Sequence, residues 1–429
     1  MSANRRSTTH RTLALLALGA LTVAPTVALP STAWARTAPE RVLLSPAADP
    51  ATSQHVTWRT EDLDEGAHLE LIPVRGASST ALLPAEPTGR TADRQYYRVT
   101  LTDLTPDTEY RYRVVPGEGA AGRWRSFTTA DTDAVPFDFL YFGDVQNDIS
   151  AGAAPVVRAA LAAEPDAELA VHAGDLIDHA ENDSQWGEWY DAFGPEGTGG
   201  INHLATPGNH EYSSNALSGH WKLQFPGAGN GPEEGVDLNE TVHHTDYQGV
   251  RFIGLNSNYR DADVDDVDAW LRSQTEWLVQ VLEDNPNEWT VVTFHHPLFS
   301  NSPGRDNEPL RRAWSEVLEE YDVDLVLQGH DHSYSRGNLV ENRTEDPDVH
   351  TGPVYVVAVT GPKMYEADDV NWTSNGAEAR VQVTDTQTFQ SVSVDGSTLE
   401  YVSTTADGEV VDAFTIDKGG DGKLVTDER

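Results

Sequence analysis

Five short polar clusters carry the residue types that hold metal ions: Gly143-Asp144-Val145-Gln146, Gly174-Asp175-Leu176-Ile177-Asp178, Gly208-Asn209-His210-Glu211, His295-His296 and Gly329-His330-Asp331-His332. Carboxylate, amide and imidazole groups make a hard-to-borderline donor set. It suits iron, manganese or zinc and is too rich in histidine for calcium. The chain has no cysteine, which excludes thiolate sites, disulfides and cysteine nucleophiles. Any one cluster alone is an ordinary turn or a structural histidine pair; five in series, each following an apolar run, are hard to ascribe to chance. Four of them place a glycine directly before the polar residue, which permits a sharp turn and close backbone approach.

The elements that must bring these clusters together alternate between strand and helix. Residues 135–142, 169–173, 289–294 and 323–327 read as short buried strands, and each ends at a cluster. Residues 151–163, 270–282 and 310–321 read as helices, the second with Leu271, Leu278 and Leu282 on one face. Strand ends converge at one edge of an α/β sheet, where ligands usually bind. The fold class expected for residues 135–418 is therefore α/β, inner sheets flanked by helices. Residues 354–359 and 379–416 add further strands, and the Gly/Asp-rich residues 419–429 are expected to fray as a flexible tail.

Residues 37–130 have a different character. In the stretch from Leu104 through Pro106 to Val114, Tyr110, Tyr112 and Val114 alternate with charged residues, giving a strand with one buried and one wet face. The Leu-x-Pro turn with a tyrosine opening the strand resembles the tyrosine corner of fibronectin type III sandwiches, with Trp58 as a core residue. The expectation is an all-β sandwich ahead of the α/β domain.

As a set, the clusters resemble the metallophosphoesterase superfamily, in its calcineurin-like two-sheet form, and more closely the bacterial relatives of purple acid phosphatases. The resemblance spans most of the chain beyond residue 36 and implies a dinuclear centre. It makes Asp175 the bridge, Asp144 and His332 ligands of a first metal, and Asn209, His295 and His330 ligands of a second. It further implies hydrolysis of phosphate esters by a metal-bridging hydroxide, with His210 stabilising or protonating the leaving oxygen. Two departures stand out. Purple acid phosphatases have a tyrosine three residues after the bridging Asp, the source of their colour; here that residue is Asp178, so a colourless centre with less preference for ferric iron is expected. Many superfamily members have Asp-x-His in the first cluster, where this chain has Gln146. The first metal is then completed by Gln146, Asp178 or water. Asp178 has three readings: a partner that holds His210, a metal ligand, or a structural carboxylate.

Neighbouring residues have competing roles. His296 points away from the site if its strand stays regular. Tyr212 and His203 either line the pocket or pack inside. Trp186, Trp189 and Tyr190 pack under a helix or wall the substrate. Asp331 either orients a ligand or faces solvent.

Composition bounds the partners. With 69 acidic against 29 basic residues, a formal net charge of -40, the chain is unsuited to a nucleic-acid scaffold role or to anionic membranes. At 38% hydrophobic it can bury sizeable cores. Residues 1–35 read as a signal peptide: Arg5, Arg6 and Arg11, an apolar run over 13–29, and an Ala33-Trp34-Ala35 cleavage site, with no membrane span expected. Arg5-Arg6 allows a twin-arginine route, although Ser7-Thr8-Thr9 departs from that motif. The expectation is a secreted or cell-wall-associated phosphomonoesterase acting on small phosphate esters. The alternatives are a phosphodiesterase or nucleotide-directed hydrolase on the same core, or a non-enzymatic wall-binding protein.

Overall fold

The computed structural model describes residues 39–61, 65–76, 79–91, 94–117, 119–420 and 422–428. The signal peptide expected over residues 1–35 lies outside the described residues.

The front region forms two four-stranded antiparallel sheets. Val56, Trp58, Tyr97, Tyr112 and Val114 fill the space between them. In the strand Glu109–Val115, Tyr110, Tyr112 and Val114 are buried while Glu109 and Arg111 are exposed. The Tyr110 hydroxyl accepts the Thr105 amide at 2.9 Å, which closes the tyrosine corner read from the sequence.

Behind it, two larger sheets of eight and seven strands pack face to face. Phe137–Phe142, Leu169–His172 and Asn202–Ala205 run parallel in one. Val250–Gly254, Trp289–Thr293, Leu325–Gln328 and Val354–Val357 run parallel in the other. These strands are apolar on both faces because both faces are covered. Phe139 and Tyr141 point into the core between the sheets; Leu140 and Phe142 point outward, under Val156, Val157, Trp186 and Trp189. The second sheet repeats this, with Val292 and Val326 under Leu271, Leu278, Trp314 and Leu318. The helix Val267–Glu283 begins earlier than the periodicity predicts because the Asp266 carboxylate caps it, accepting the Ala269 amide.

The end of the chain corrects one expectation. Leu424–Glu428 is a strand, paired with Val410–Asp417 on one side and Val349–His350 on the other. Val425 is fully buried, and Asp427 takes ion pairs from Arg336 and Arg380. The ladder and these ion pairs then hold the last strand in place.

The front sandwich is tied directly to the α/β region. Arg59 forks onto both carboxylate oxygens of Asp183 at 2.5 and 3.2 Å. Gln54 Nε2 donates to Asn202 Oδ1 at 2.7 Å, and the Tyr112 hydroxyl to the Gly199 carbonyl at 2.7 Å.

Candidate metal centre

All five clusters fall just beyond the ends of parallel strands, at one edge of the paired sheets. The backbone there turns sharply. Asp144, Asp175, His330 and His332 all adopt left-handed φ values of 40°, 52°, 76° and 49°, a conformation that is costly for side-chain-bearing residues and is held by the surrounding structure. Gly208 shows why glycine precedes the donors. A methyl at that position would collide with the Asp175 carboxylate and its main-chain nitrogen.

The donors gather in two groups that share Asp175. In one, Asn209 Oδ1 lies 3.1 Å from His295 Nε2 and 3.0 Å from His330 Nδ1, and Asp175 Oδ2 lies 3.2 Å from His295 Nε2. In the other, Asp144 Oδ1 lies 3.6 Å from His332 Nε2. Gln146 Nε2 there reaches Asp175 Oδ2 at 2.7 Å and His332 Nε2 at 3.3 Å. Asp144, Asp175 and His332 form one compact set of possible ligand atoms, and His295, His296 and His330 another.

The chemistry of this set fits two cations. His295 Nδ1 donates to the Ala173 carbonyl at 2.8 Å and His332 Nδ1 to the Lys363 carbonyl at 2.9 Å, which leaves each Nε2 as a bare lone pair aimed inward. Asp144 Oδ1 and Gln146 Oε1 are buried and without a hydrogen-bond partner. Converging lone pairs and buried carboxylates repel one another unless a cation lies between them. The pull of the set on positive charge shows at His295: burial opposes its protonation, yet the Asp175 carboxylate pushes its pKa up to about 10. Gln146 and Asp144 therefore line the first group with His332, while Asp178 is outside both. Its carboxylate accepts Asn147 Nδ2 at 2.7 Å and lies 3.0 Å from His179 Nδ1.

His210 stands at the rim of the shared carboxylate. Its Nδ1 is 2.6 Å from the Asp178 main-chain carbonyl and 3.5 Å from the Asp178 carboxylate; its Nε2 is 4.0 Å from Asp175 Oδ2. Of the three sequence readings of Asp178, the one that holds His210 relied on its carboxylate, and the geometry places the main-chain carbonyl closer. Nδ1 is thereby fixed as a donor and Nε2 is left to face the site.

Glu211 is a residue whose part was missed. It is fully buried, and its carboxylate accepts the amides of Asp175, Leu176 and Gly208 at 2.9, 2.8 and 2.7 Å. It thus clamps the second cluster to the third. The signal was its place in the third cluster, immediately after two functional positions.

The neighbouring residues divide. His296 enters the site rather than turning away: its ring lies 4.3 Å from that of His330, and Nδ1 meets the Ser257 hydroxyl at 3.0 Å. The alternation argument fails because the strand ends at Thr293. His203 is buried against His172, with ring nitrogens 2.9 Å apart, away from the donors. Tyr212 is buried and its hydroxyl accepts from Asn256 Nδ2. Trp186, Trp189 and Tyr190 pack under their own helix, Asp183–Gly200. Asp331 is fully buried, accepting the Ser300 hydroxyl and the Asn301 amide at 2.8 and 2.6 Å, so it braces the loop between two ligands.

Comparison with known proteins agrees with this geometry. Residues 137–334 match the calcineurin-like phosphoesterase family, and residues 39–129 match the purple acid phosphatase N-terminal domain. Purple acid phosphatase 23 of Arabidopsis thaliana is 24% identical over 305 residues, 63% of this chain and 63% of that protein. An uncharacterized protein of Mycobacterium tuberculosis strain H37Rv is 25% identical over 328 residues, 67% of this chain and 60% of that protein. The chain thus spans under two thirds of the length of these two relatives. A purple acid phosphatase from yellow lupin (Lupinus luteus) seeds shares the fold, with a TM-score of 0.72 at 18% identity, over 89% of this chain and 74% of that one. The chain thus carries a calcineurin-like phosphoesterase domain behind a purple acid phosphatase-type N-terminal domain, a β-sandwich followed by an α/β domain.

Proposed function

We propose that the protein is an exported hydrolase of small phosphate monoesters, working at a dinuclear centre of iron, manganese or zinc. The observation that carries this is the sharing of Asp175 between two groups of buried donors, with the His210 ring at their rim. Asp144, Asp175, His332 and Gln146 would hold one ion, and Asp175, Asn209, His295 and His330 the other. Two such ions supply Lewis-acid stabilisation of phosphoryl charge and acidify water at neutral pH.

The chain's own residues do the rest. Glu211 fixes the turn that presents Asp175, and the Ala173 and Lys363 carbonyls fix the ring orientations of His295 and His332. His210, held by the Asp178 carbonyl, presents Nε2 to the departing ester oxygen and delivers a proton there. The Asp178 carboxylate lies 3.5 Å from the same ring nitrogen. Export rests on the charged, apolar and small-residue order of residues 1–35. Wall association through the front sandwich is a further proposal that rests on its position alone.

The test is turnover of p-nitrophenyl phosphate against its bis ester by metal-loaded protein. Preference for the monoester supports the proposal, preference for the diester moves it to a phosphodiesterase, and turnover of neither removes it.

A further inference from the structure

The seam between the front sandwich and the α/β region holds a cleft that the metal chemistry does not use. Its volume is about 490 Å³, and it lies between the strand Glu40–Pro46, the loop ahead of Arg125 and the helix Asp183–Gly200. Its walls differ in charge from the rest of the protein. Acidic residues outnumber basic ones 69 to 29 over the whole chain. Yet Arg41, Arg59, Arg123 and Arg125 line this cleft against only Glu40 and Asp191. Val42 and Pro195 give it apolar surface.

Three of these arginines already have counter-ions. Arg41 takes a left-handed φ of 51° where the strand register slips, and its guanidinium pairs with the Asp183 carboxylate at 3.0 Å. Arg59 pairs with Glu40 and Asp183, and Arg123 with Glu196 at 3.0 Å. Arg125 is different: no ion pair among the described residues includes it. Its Nε donates to the Pro195 carbonyl at 3.3 Å and its Nη1 to the Arg123 carbonyl at 3.5 Å. Its stem runs so close over Gly199 that a methyl there would collide with it. These contacts hold the fork in place and leave its charge uncancelled, which is costly for a half-buried cation. A second group on the same wall lacks a partner. Tyr190 is 7% exposed, and its hydroxyl is buried with no hydrogen bond. Buried hydroxyls are nearly always bonded, so a donor left over on a cleft wall marks where a ligand oxygen fits.

We propose that this cleft binds a small carboxylic acid whose apolar body carries a second oxygen, the carboxylate on the Arg125 guanidinium and the second oxygen on the Tyr190 hydroxyl. An acylated amino acid is the fitting class. One guanidinium without a counter-ion calls for a single negative charge, and its planar fork matches a carboxylate. Tyr190 and Pro195, whose carbonyl holds Arg125, lie on one helix, about 7 Å apart along its axis. The two donors therefore meet different ends of the ligand, and Val42 and Pro195 cover the body between them. Inorganic phosphate has no apolar surface to offer these walls. No residue of the cleft belongs to the metal centre, so the inference stands apart from the hydrolase reading.

The experiment is isothermal titration calorimetry on the metal-loaded full chain, with hippurate as the probe and hippuramide, its uncharged amide, as the control. Hippurate should bind at least about tenfold more tightly than hippuramide. Arg125→Met keeps an apolar stem over Gly199 and should weaken hippurate about tenfold or more. Tyr190→Phe removes only the hydroxyl and should weaken it about threefold to tenfold. Saturating inorganic phosphate should leave hippurate bound. Far-ultraviolet circular dichroism and Tm establish that each variant is folded before titration; if Arg125→Met does not fold, Tyr190→Phe decides alone. No binding by the wild type, equal affinity for acid and amide, or affinity unchanged in the folded variants overturns the site. Displacement of hippurate by phosphate also overturns it, because the probe would then sit at the metals.

Discussion

His210 Nδ1 lies 2.6 Å from the main-chain carbonyl of Asp178 and 3.5 Å from its carboxylate. The shorter contact fixes the tautomer; the longer one is the weaker hold on the ring. Removing the carboxylate charge should therefore hurt less than removing the ring. Asp178→Asn is expected to lower kcat by about threefold to tenfold, against about a hundredfold or more for His210→Gln, since a positioned acid contributes 10² to 10⁴. Steady-state kinetics with elemental analysis checks this. Metal content should stay at the wild-type level in both, and loss of an ion in Asp178→Asn would show that its carboxylate is a ligand.

Gln146 occupies the place where a histidine would have strengthened the first site. Its amide nitrogen donates to Asp175 and faces His332, and its buried, unpartnered Oε1 is the atom that would complete the first donor group at modest strength. Gln146→Ala should weaken one ion about tenfold, and Gln146→His should tighten it, by competition with a chromogenic chelator. Equal weakening of both ions would contradict this assignment. With Asp178 in place of the tyrosine of the purple enzymes, the iron-loaded protein should also lack their charge-transfer band in the visible spectrum.

Much of this was legible in the sequence because metal ligation leaves local signatures. Gly-Asp, Gly-Asn-His and Gly-His-Asp-His each combine a donor with the glycine that a tight strand-end turn requires. The alternating and continuous apolar runs disclosed both domains, since a strand covered on two faces cannot hide polar residues. What stayed hidden depended on where the backbone stops being regular. His296 was assigned by alternation in a segment where the strand has already ended. The last strand is short, and one of its two partners, Val349–His350, lies far away in sequence. Glu211 acts on main-chain amides, which are the same for every residue, so only its place in the third cluster hinted at its part.

Glu211 offers a stability test. Its carboxylate accepts three buried amides. Glu211→Gln turns an acceptor oxygen into a donor that faces N–H groups, and should cost about 2–4 kcal/mol, read from urea unfolding. It should weaken metal binding as well, because it releases the turn that holds Asp175. A cost below about 0.5 kcal/mol would contradict the clamp.

Gly208→Ala tests the close approach directly. The new methyl meets the Asp175 carboxylate and its amide, so the two clusters must separate. Metal content should fall well below wild type while far-ultraviolet circular dichroism is retained. A variant that binds metal normally would show that the turn has more freedom than the contacts imply.

The buried pair His172 and His203 sets an acid limit away from the metals. Burial pushes His203 down to about 4 and His172 further below its usual value, the latter also through His203. Both are neutral in the fold at pH 6.5, whereas the unfolded chain takes up protons below that value. Their contribution is thus fully present above about pH 6.5 and is lost as pH falls through about 4. Tm should decline over that range, and His203→Gln should flatten the decline; an unchanged slope would assign the acid limit elsewhere.

The central claim is one carboxylate shared between two ions. The most direct measurement is metal per chain and p-nitrophenyl phosphate turnover for the wild type and Asp175→Ala in the same preparation. The account predicts two ions in the wild type, at most one held weakly in the variant, and a fall in kcat of about a thousandfold or more. A variant that keeps both ions, or a wild type whose turnover survives complete chelation of its metals, would contradict it.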